Sequence, residues 1–172
     1  PFIARDIPIV GLEPSCILGF RDEVPSVIGT DVAKRMADLA MTFEEFLARE
    51  LSAGRLHLPL KPMPRRALLH GHCHQKSFDV FTPVQAVLRL IPELEVETIE
   101  SSCCGMAGSF GYGADTIDVS LAMGELSLLP AVRRANAEDL IVADGISCRH
   151  QVHDASGRDA LHVSRVLAAS LA

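Results

Sequence analysis

Tryptophan is absent from this 172-residue chain, tyrosine occurs once, and aromatics make up only 5% of it. Apolar residues nevertheless reach 48%. The core must therefore be mostly Leu, Val, Ile and Ala, which suits a layered α/β domain better than a β sandwich. A long basic run is also lacking, and the net charge is −6. That balance argues against a nucleic-acid or anionic-lipid surface. No stretch approaches the roughly 20 apolar residues of a membrane span. No signal peptide is visible. The first residue is Pro1, and residues 7–12 (Ile-Pro-Ile-Val-Gly-Leu) already read as a core strand. The expectation is a C-terminal fragment of a longer chain, with one compact domain over 1–172.

Cysteine is what the chain does have. There are five, and Cys103 and Cys104 are adjacent. An odd count with a vicinal pair does not make a secreted disulfide framework. A reducing compartment with thiolates used as ligands fits better. The local ligand loops are missing: neither the ferredoxin spacing C-x-x-C-x-x-C nor the zinc-finger C-x-x-C occurs. Any metal site must be assembled by the fold.

The layout supplies the means. Residues 7–12 lead through Glu13-Pro14-Ser15 to Cys16, and Ala67-Leu68-Leu69-His70 leads through Gly71-His72 to Cys73. Residues 94–99 lead to Cys103-Cys104-Gly105, and Leu140-Ile141-Val142-Ala143 leads to Cys148. Short apolar runs bounded by Gly, Pro, Ser or Asp read as buried strands. Between them lie helices: 31–51 with Thr30 as cap, 82–90 with Pro83 in the first turn, 115–135 with Pro130 as a kink or divide, and 163–171. A further strand is expected near 160–163. Alternation of this kind gives a parallel sheet with helices on both faces. Functional residues in such sheets collect at the carboxyl ends of strands. All five cysteines are therefore expected to converge at one sheet edge. Residues 9–16 and 141–148 also share Ile, Val, Ser and Cys at equivalent positions. That echo suggests a duplication, with 1–30 ending a first repeat and 65–172 forming the second.

Soft thiolates suit zinc or iron–sulfur clusters. The candidate ligands are Cys16, Cys73, Cys103, Cys104 and Cys148, with His74 and His150 as imidazole donors. His72 is either a ligand or a hydrogen-bonding neighbour. Cys16 alone also reads as a small core residue. Gly105 and Gly108 allow close backbone approach, so that amides can point at sulfur; simple turn flexibility is the plainer account. The glycine run lacks the order of a nucleotide loop. Glu13, Glu100 and Asp144 stand near cysteines as bases or as caps. Arg149 is a thiolate neighbour, a carboxylate binder or a solvated charge.

Cys73, then Cys103-Cys104-Gly105, then Cys148 resembles the motif of the CCG cysteine-rich domain family. That family includes the cysteine-rich subunit of heterodisulfide reductase and the iron–sulfur subunit of glycolate oxidase. The stretches His70-Gly-His-Cys-His-Gln75, Glu100-Ser-Ser-Cys-Cys-Gly and Ser147-Cys-Arg-His-Gln151 look most like the C-terminal part of FAD-linked oxidases similar to D-lactate or D-2-hydroxyglutarate dehydrogenases. The family motif commonly ends C-x-x-C, whereas here Gln151 stands three residues after Cys148. Cys16 or a histidine would then replace the missing ligand, or the site would be simpler.

The resemblance implies an electron-transfer domain of an FAD-linked oxidoreductase acting on a 2-hydroxy acid. Its cofactor would be a 4Fe-4S-type iron–sulfur cluster or zinc, with FAD carried elsewhere in the full-length protein. Its partners would be the FAD and ferredoxin-like domains and an electron acceptor, in the cytoplasm or peripherally at the inner face of the membrane. The rival expectation is a structural zinc module for docking. Thiol–disulfide chemistry at Cys103-Cys104 ranks last, because a vicinal disulfide is strained.

Overall fold

Turn residues cut the chain into short elements, and the computed structural model describes all of it, Pro1–Ala172. The elements fall into two compact units, Pro1–His57 and Leu58–Ala172.

The first unit contains β1 (Ile9–Gly11), α1 (Pro14–Leu18), α2 (Glu23–Ile28), α3 (Asp31–Leu39), β2 (Ala40–Thr42) and α4 (Phe43–Ser52). β1 and β2 form a two-stranded parallel sheet, with Ile9 opposite Ala40. Thr30 caps α3 as expected, accepting from the Ala33 amide at 3.3 Å. The expected single helix over 31–51 is broken, however. Residues 40–42 extend to pair with β1, and Thr42 then starts a new helix through a capping box with Glu45. The box satisfies two amide donors at once, which offsets the cost of interrupting the helix. Arg21 secures the break by donating to Ala40 O at 2.8 Å and to both Glu45 carboxylate oxygens at 2.9 Å.

The second unit contains β3 (Arg66–His70), α5 (Cys73–Ser77), α6 (Thr82–Leu88), β4 (Glu95–Thr98), α7 (Ile117–Glu125), α8 (Leu128–Arg134), β5 (Leu140–Ala143), α9 (Ile146–Ser156), β6 (Ala160–Leu161) and α10 (Val163–Ser170). Its four strands are all parallel, in the order β4-β3-β5-β6. The sheet is flanked by helices, so the α/β class expected from the alternation is the class observed. Leu68 pairs with Ile141, and both belong to a core with Leu128 and Val132 of α8 and Val152 of α9. Leu69 and Val142 point the other way and are fully buried. α6 and α10 pack on one another and carry further buried valines and leucines. The expected helix over 115–135 is two helices. The division comes at Leu126–Ser127, while Pro130 sits in the first turn of α8, where its missing N–H costs nothing.

Four helices were not foreseen, α1, α2, α5 and α9, and three of them carry cysteines. α5 begins at Cys73, and α9 carries Cys148 as its third residue. Cys16 is likewise the third residue of α1. The sequence echo between 9–16 and 141–148 thus corresponds to one local form, a strand, a tight turn and a helix whose third residue is cysteine. The expectation that all five cysteines share one sheet edge does not hold. Cys16 follows a strand of the two-stranded sheet, and only the other four follow strands of the four-stranded one. No helix is long and apolar enough to cross a membrane.

Candidate metal centre

Three parallel strands deliver the second unit's chemistry to one end of its sheet. β3 ends at His70 and reaches Cys73 across two residues. β4 leads to Cys103 and Cys104. β5 leads across Asp144-Gly145 to Cys148. Because the strands are parallel and in register, their carboxyl ends coincide.

Cys104 and Cys148 are buried, Cys103 is half-buried and Cys73 is exposed, and all are free thiols. The sulfurs interact in pairs. Cys148 donates to Cys104 and, with His70, holds the Cys104 thiol down at about 4. The same contact, together with burial, pushes Cys148 well above the ordinary thiol range. Cys103 is pushed up by burial and by its neighbours Cys104 and Cys73, while the Gly105 amide draws it partly back.

The loop after the vicinal pair is shaped for this. Gly105, Ala107 and Gly108 all have positive φ, at 94°, 43° and 63°. Left-handed residues alternating with others in a turn direct neighbouring backbone amides into a concavity. The Gly105 amide donates to Cys103 Sγ at 3.3 Å, and the Met106 amide supports the Cys104 thiolate. A β-carbon at Gly105 would lie 2.1 Å from Ser120 O, so the loop can pass α7 only as glycine. At Gly108 a β-carbon would meet nothing within 4 Å. Gly145 is also confined: a β-carbon there would lie 2.3 Å from His72 Cδ2 and 3.3 Å from Cys148 Sγ.

Charge is supplied by Lys76. Its ammonium donates to Ser101 O, packs 5.9 Å from the Phe81 ring centroid, and is attracted by Cys148, Cys73 and Cys103. Burial still leaves its pKa below the usual lysine value. The remaining polar residues are structural. Asp144 accepts from Gln75 Nε2 at 3.0 Å and caps α10 through Val163 N at 3.2 Å. Arg149 donates to the carbonyls of Ala143 and Asp144. Gln151, where the C-x-x-C spacing would place a cysteine, is buried and donates to Ser120 O at 3.1 Å and Ser120 Oγ at 3.2 Å.

The imidazole that the fold brings in is not one of those favoured from the sequence. His74 packs its ring 5.2 Å from that of Phe78, and His150 Nδ1 pairs with the Tyr112 hydroxyl at 2.8 Å. His72 caps α5, with Nδ1 accepting from His74 N at 3.2 Å. His70 instead joins Cys104 and Cys148 in a group whose donor atoms all lie within 4.8 Å of one another. A signal for it was present. His70 is two residues after Leu68 on a strand buried on both faces, so it shares the face that carries Cys104 and Cys148. Its Nε2 is buried without a hydrogen-bond partner. Four thiols, inward-turned amides, a lysine and an unpartnered buried imidazole nitrogen make a donor set suited to a soft metal or an iron–sulfur cluster.

Comparison with known proteins agrees with this chemistry. The chain is 32% identical over 168 residues to a subunit of the anaerobic glycerol-3-phosphate dehydrogenase of Escherichia coli (strain K12), covering 98% of this chain and 41% of that protein. It is 29% identical over 164 residues to the D-2-hydroxyglutarate dehydrogenase of the same strain, covering 94% of this chain and 15% of that one. An uncharacterized iron–sulfur protein of Methanocaldococcus jannaschii matches at 28% over 102 residues, 59% of this chain and 20% of its own length. The chain therefore spans less than half of each of these curated relatives. No family model matches it, and no solved structure does.

Proposed function

We propose that this chain is an iron–sulfur electron-transfer domain of a flavin-linked dehydrogenase. The observation that carries the reading is the gathering of Cys73, Cys103, Cys104 and Cys148 at the carboxyl ends of three adjacent strands, with amides and a lysine turned toward the sulfurs. Packing alone does not call for a half-buried lysine beside thiols. An iron–sulfur centre, when bound, supplies reversible one-electron transfer.

The chain's own residues divide the work. Cys104 and Cys148 form the dry side of the site, where burial keeps water from the sulfurs. Cys73 and Cys103 form the wet side, open to a redox partner. Lys76 offsets thiolate charge and fixes the carbonyl that precedes the vicinal pair. Cys148 releases its proton when a metal is bound, since thiolate is the ligating form.

The relatives support a dehydrogenase context, and two of them are named for small anionic secondary alcohols. A 2-hydroxy acid is the substrate we favour, oxidised at an FAD site in another part of the full-length protein, with ferredoxin-like segments relaying electrons. No flavin motif lies in these residues, so the chain alone should lack dehydrogenase activity. The deciding experiment is iron and acid-labile sulfide content of anaerobically purified protein, wild type against Cys104→Ser. Iron with sulfide, lost in the variant, sustains the reading. Stoichiometric zinc without sulfide refutes the redox role.

A further inference from the structure

We infer that His70 is itself a ligand of the centre, so that the site is a mixed imidazole–thiolate one and not an all-cysteine one. The inference rests on the metal-binding reading above and adds to it a donor outside the cysteine motif.

His70 is 1% exposed, at the end of β3. Its Nδ1 lies 2.7 Å from Ser101 Oγ. The Ser101 hydroxyl has one proton, and it is directed to Ile99 O at 3.4 Å. When Ser101 Oγ accepts from Nδ1–H, Nε2 is the nitrogen that carries the lone pair, and this is the tautomer a metal would select. That nitrogen has no hydrogen-bond partner, and Cys104 and Cys148 are the donor groups grouped with His70 within 4.8 Å. A buried ring nitrogen without a hydrogen-bond partner, on a histidine grouped with two buried sulfurs, is placed to act as a metal donor. Metal-ligating histidines have their other ring nitrogen held by a second group that fixes tautomer and ring orientation, and Ser101 does this here.

Gln151 points to the same conclusion from the opposite side. Its amide nitrogen is committed to Ser120 on α7, so the position three residues after Cys148 supplies no thiolate and is held away by a structural contact. His70 supplies one from a different strand. The effect on chemistry follows from charge. Neutral imidazole in place of a thiolate makes the centre less anionic by one unit and raises its reduction potential, as histidine ligation does in two-iron centres.

The test uses the 172-residue chain reconstituted anaerobically with iron(II) and sulfide, with and without 15N-histidine, and pulsed EPR of the reduced centre. A coupling from directly bound nitrogen is expected in the wild type, changed by the isotope and unaffected by His153→Ala. His70→Asn keeps a nitrogen near the place of Nδ1 for Ser101 and removes Nε2; it should abolish the coupling. If that variant does not fold, His70→Cys serves instead and should lose the coupling while lowering the potential. Full iron and sulfide content without a nitrogen coupling, or a coupling that survives both variants, overturns the assignment of His70 and leaves the electron-transfer reading standing. Failure of the wild type to take up iron and sulfide overturns both.

Discussion

Gly105→Ala tests the geometry of the site most directly, because two separate costs meet at that residue. Its φ of 94° is one an L-residue rarely adopts, at about 1–2 kcal/mol for the backbone alone. The added β-carbon would also lie 2.1 Å from Ser120 O and 3.0 Å from Ser120 C. Both are backbone atoms of α7, so the helix must shift by something near an ångström, at about 1–3 kcal/mol for overpacking. Ser120 O also accepts from Gln151, so the shift disturbs α9 as well. The total, about 2–5 kcal/mol, is a large part of the ~5–15 kcal/mol that holds a domain folded. Gly108→Ala is the internal control. Its φ is 63°, but the space around it is open, so only the backbone cost of about 1–2 kcal/mol applies. Urea unfolding of the metal-free, reduced chain can be followed by tyrosine fluorescence. Tryptophan is absent and the single tyrosine, Tyr112, lies in the same unit as the thiols, so the signal reports that unit alone. Equal losses in the two variants, or a loss at Gly105 under about 1 kcal/mol, would refute the reasoning that the loop threads against α7.

Timed alkylation should label Cys16 and Cys73 first, Cys103 more slowly, and Cys104 and Cys148 only after unfolding, as read by peptide mass spectrometry. Metal loading should then protect Cys73 while Cys16 stays reactive; protection of Cys16 would bring it into the ligand set. Lys76→Met removes a charged hydrogen bond to Ser101 O, at about 1.5–3 kcal/mol before solvent discounts it, and should weaken iron retention and lower the reduction potential. Lys76→Arg should restore part of both, and unchanged iron retention in Lys76→Met would remove the lysine from the site. Gln151→Leu removes the buried hydrogen bonds to Ser120 O and Ser120 Oγ and should cost about 1–3 kcal/mol in a denaturant titration. Iron content per folded protein should be unchanged by it, and a selective loss of iron would make Gln151 a ligand after all.

What the sequence determined was the order of strands and the residues that follow them. Apolar runs such as residues 140–143 and 67–70, each closed by small or polar residues, mark parallel strands without any knowledge of their neighbours. The carboxyl-end rule assigns all five cysteines to one place; Cys73, Cys103, Cys104 and Cys148 do follow strands of one sheet, whereas Cys16 follows a strand of another, which only the tertiary structure decides. The vicinal Cys-Cys-Gly motif points to metal chemistry. Local chemistry was less legible where two local forms compete. Residues 40–42 keep a helical apolar period, yet pairing with β1 turns them into a strand, and only that partner decides it. The choice among histidines was likewise tertiary. His72, His74 and His150 stand nearest the cysteines in sequence, which is why they drew attention. Yet a helix cap, an aromatic neighbour and a tyrosine hydroxyl occupy them, while His70 reaches the sulfurs from a strand end through pleat direction and register. Spacing along a chain measures proximity only within a turn or two. Across a parallel sheet, proximity is set by which strands are neighbours and how they align, and that information exists only once the sheet has formed.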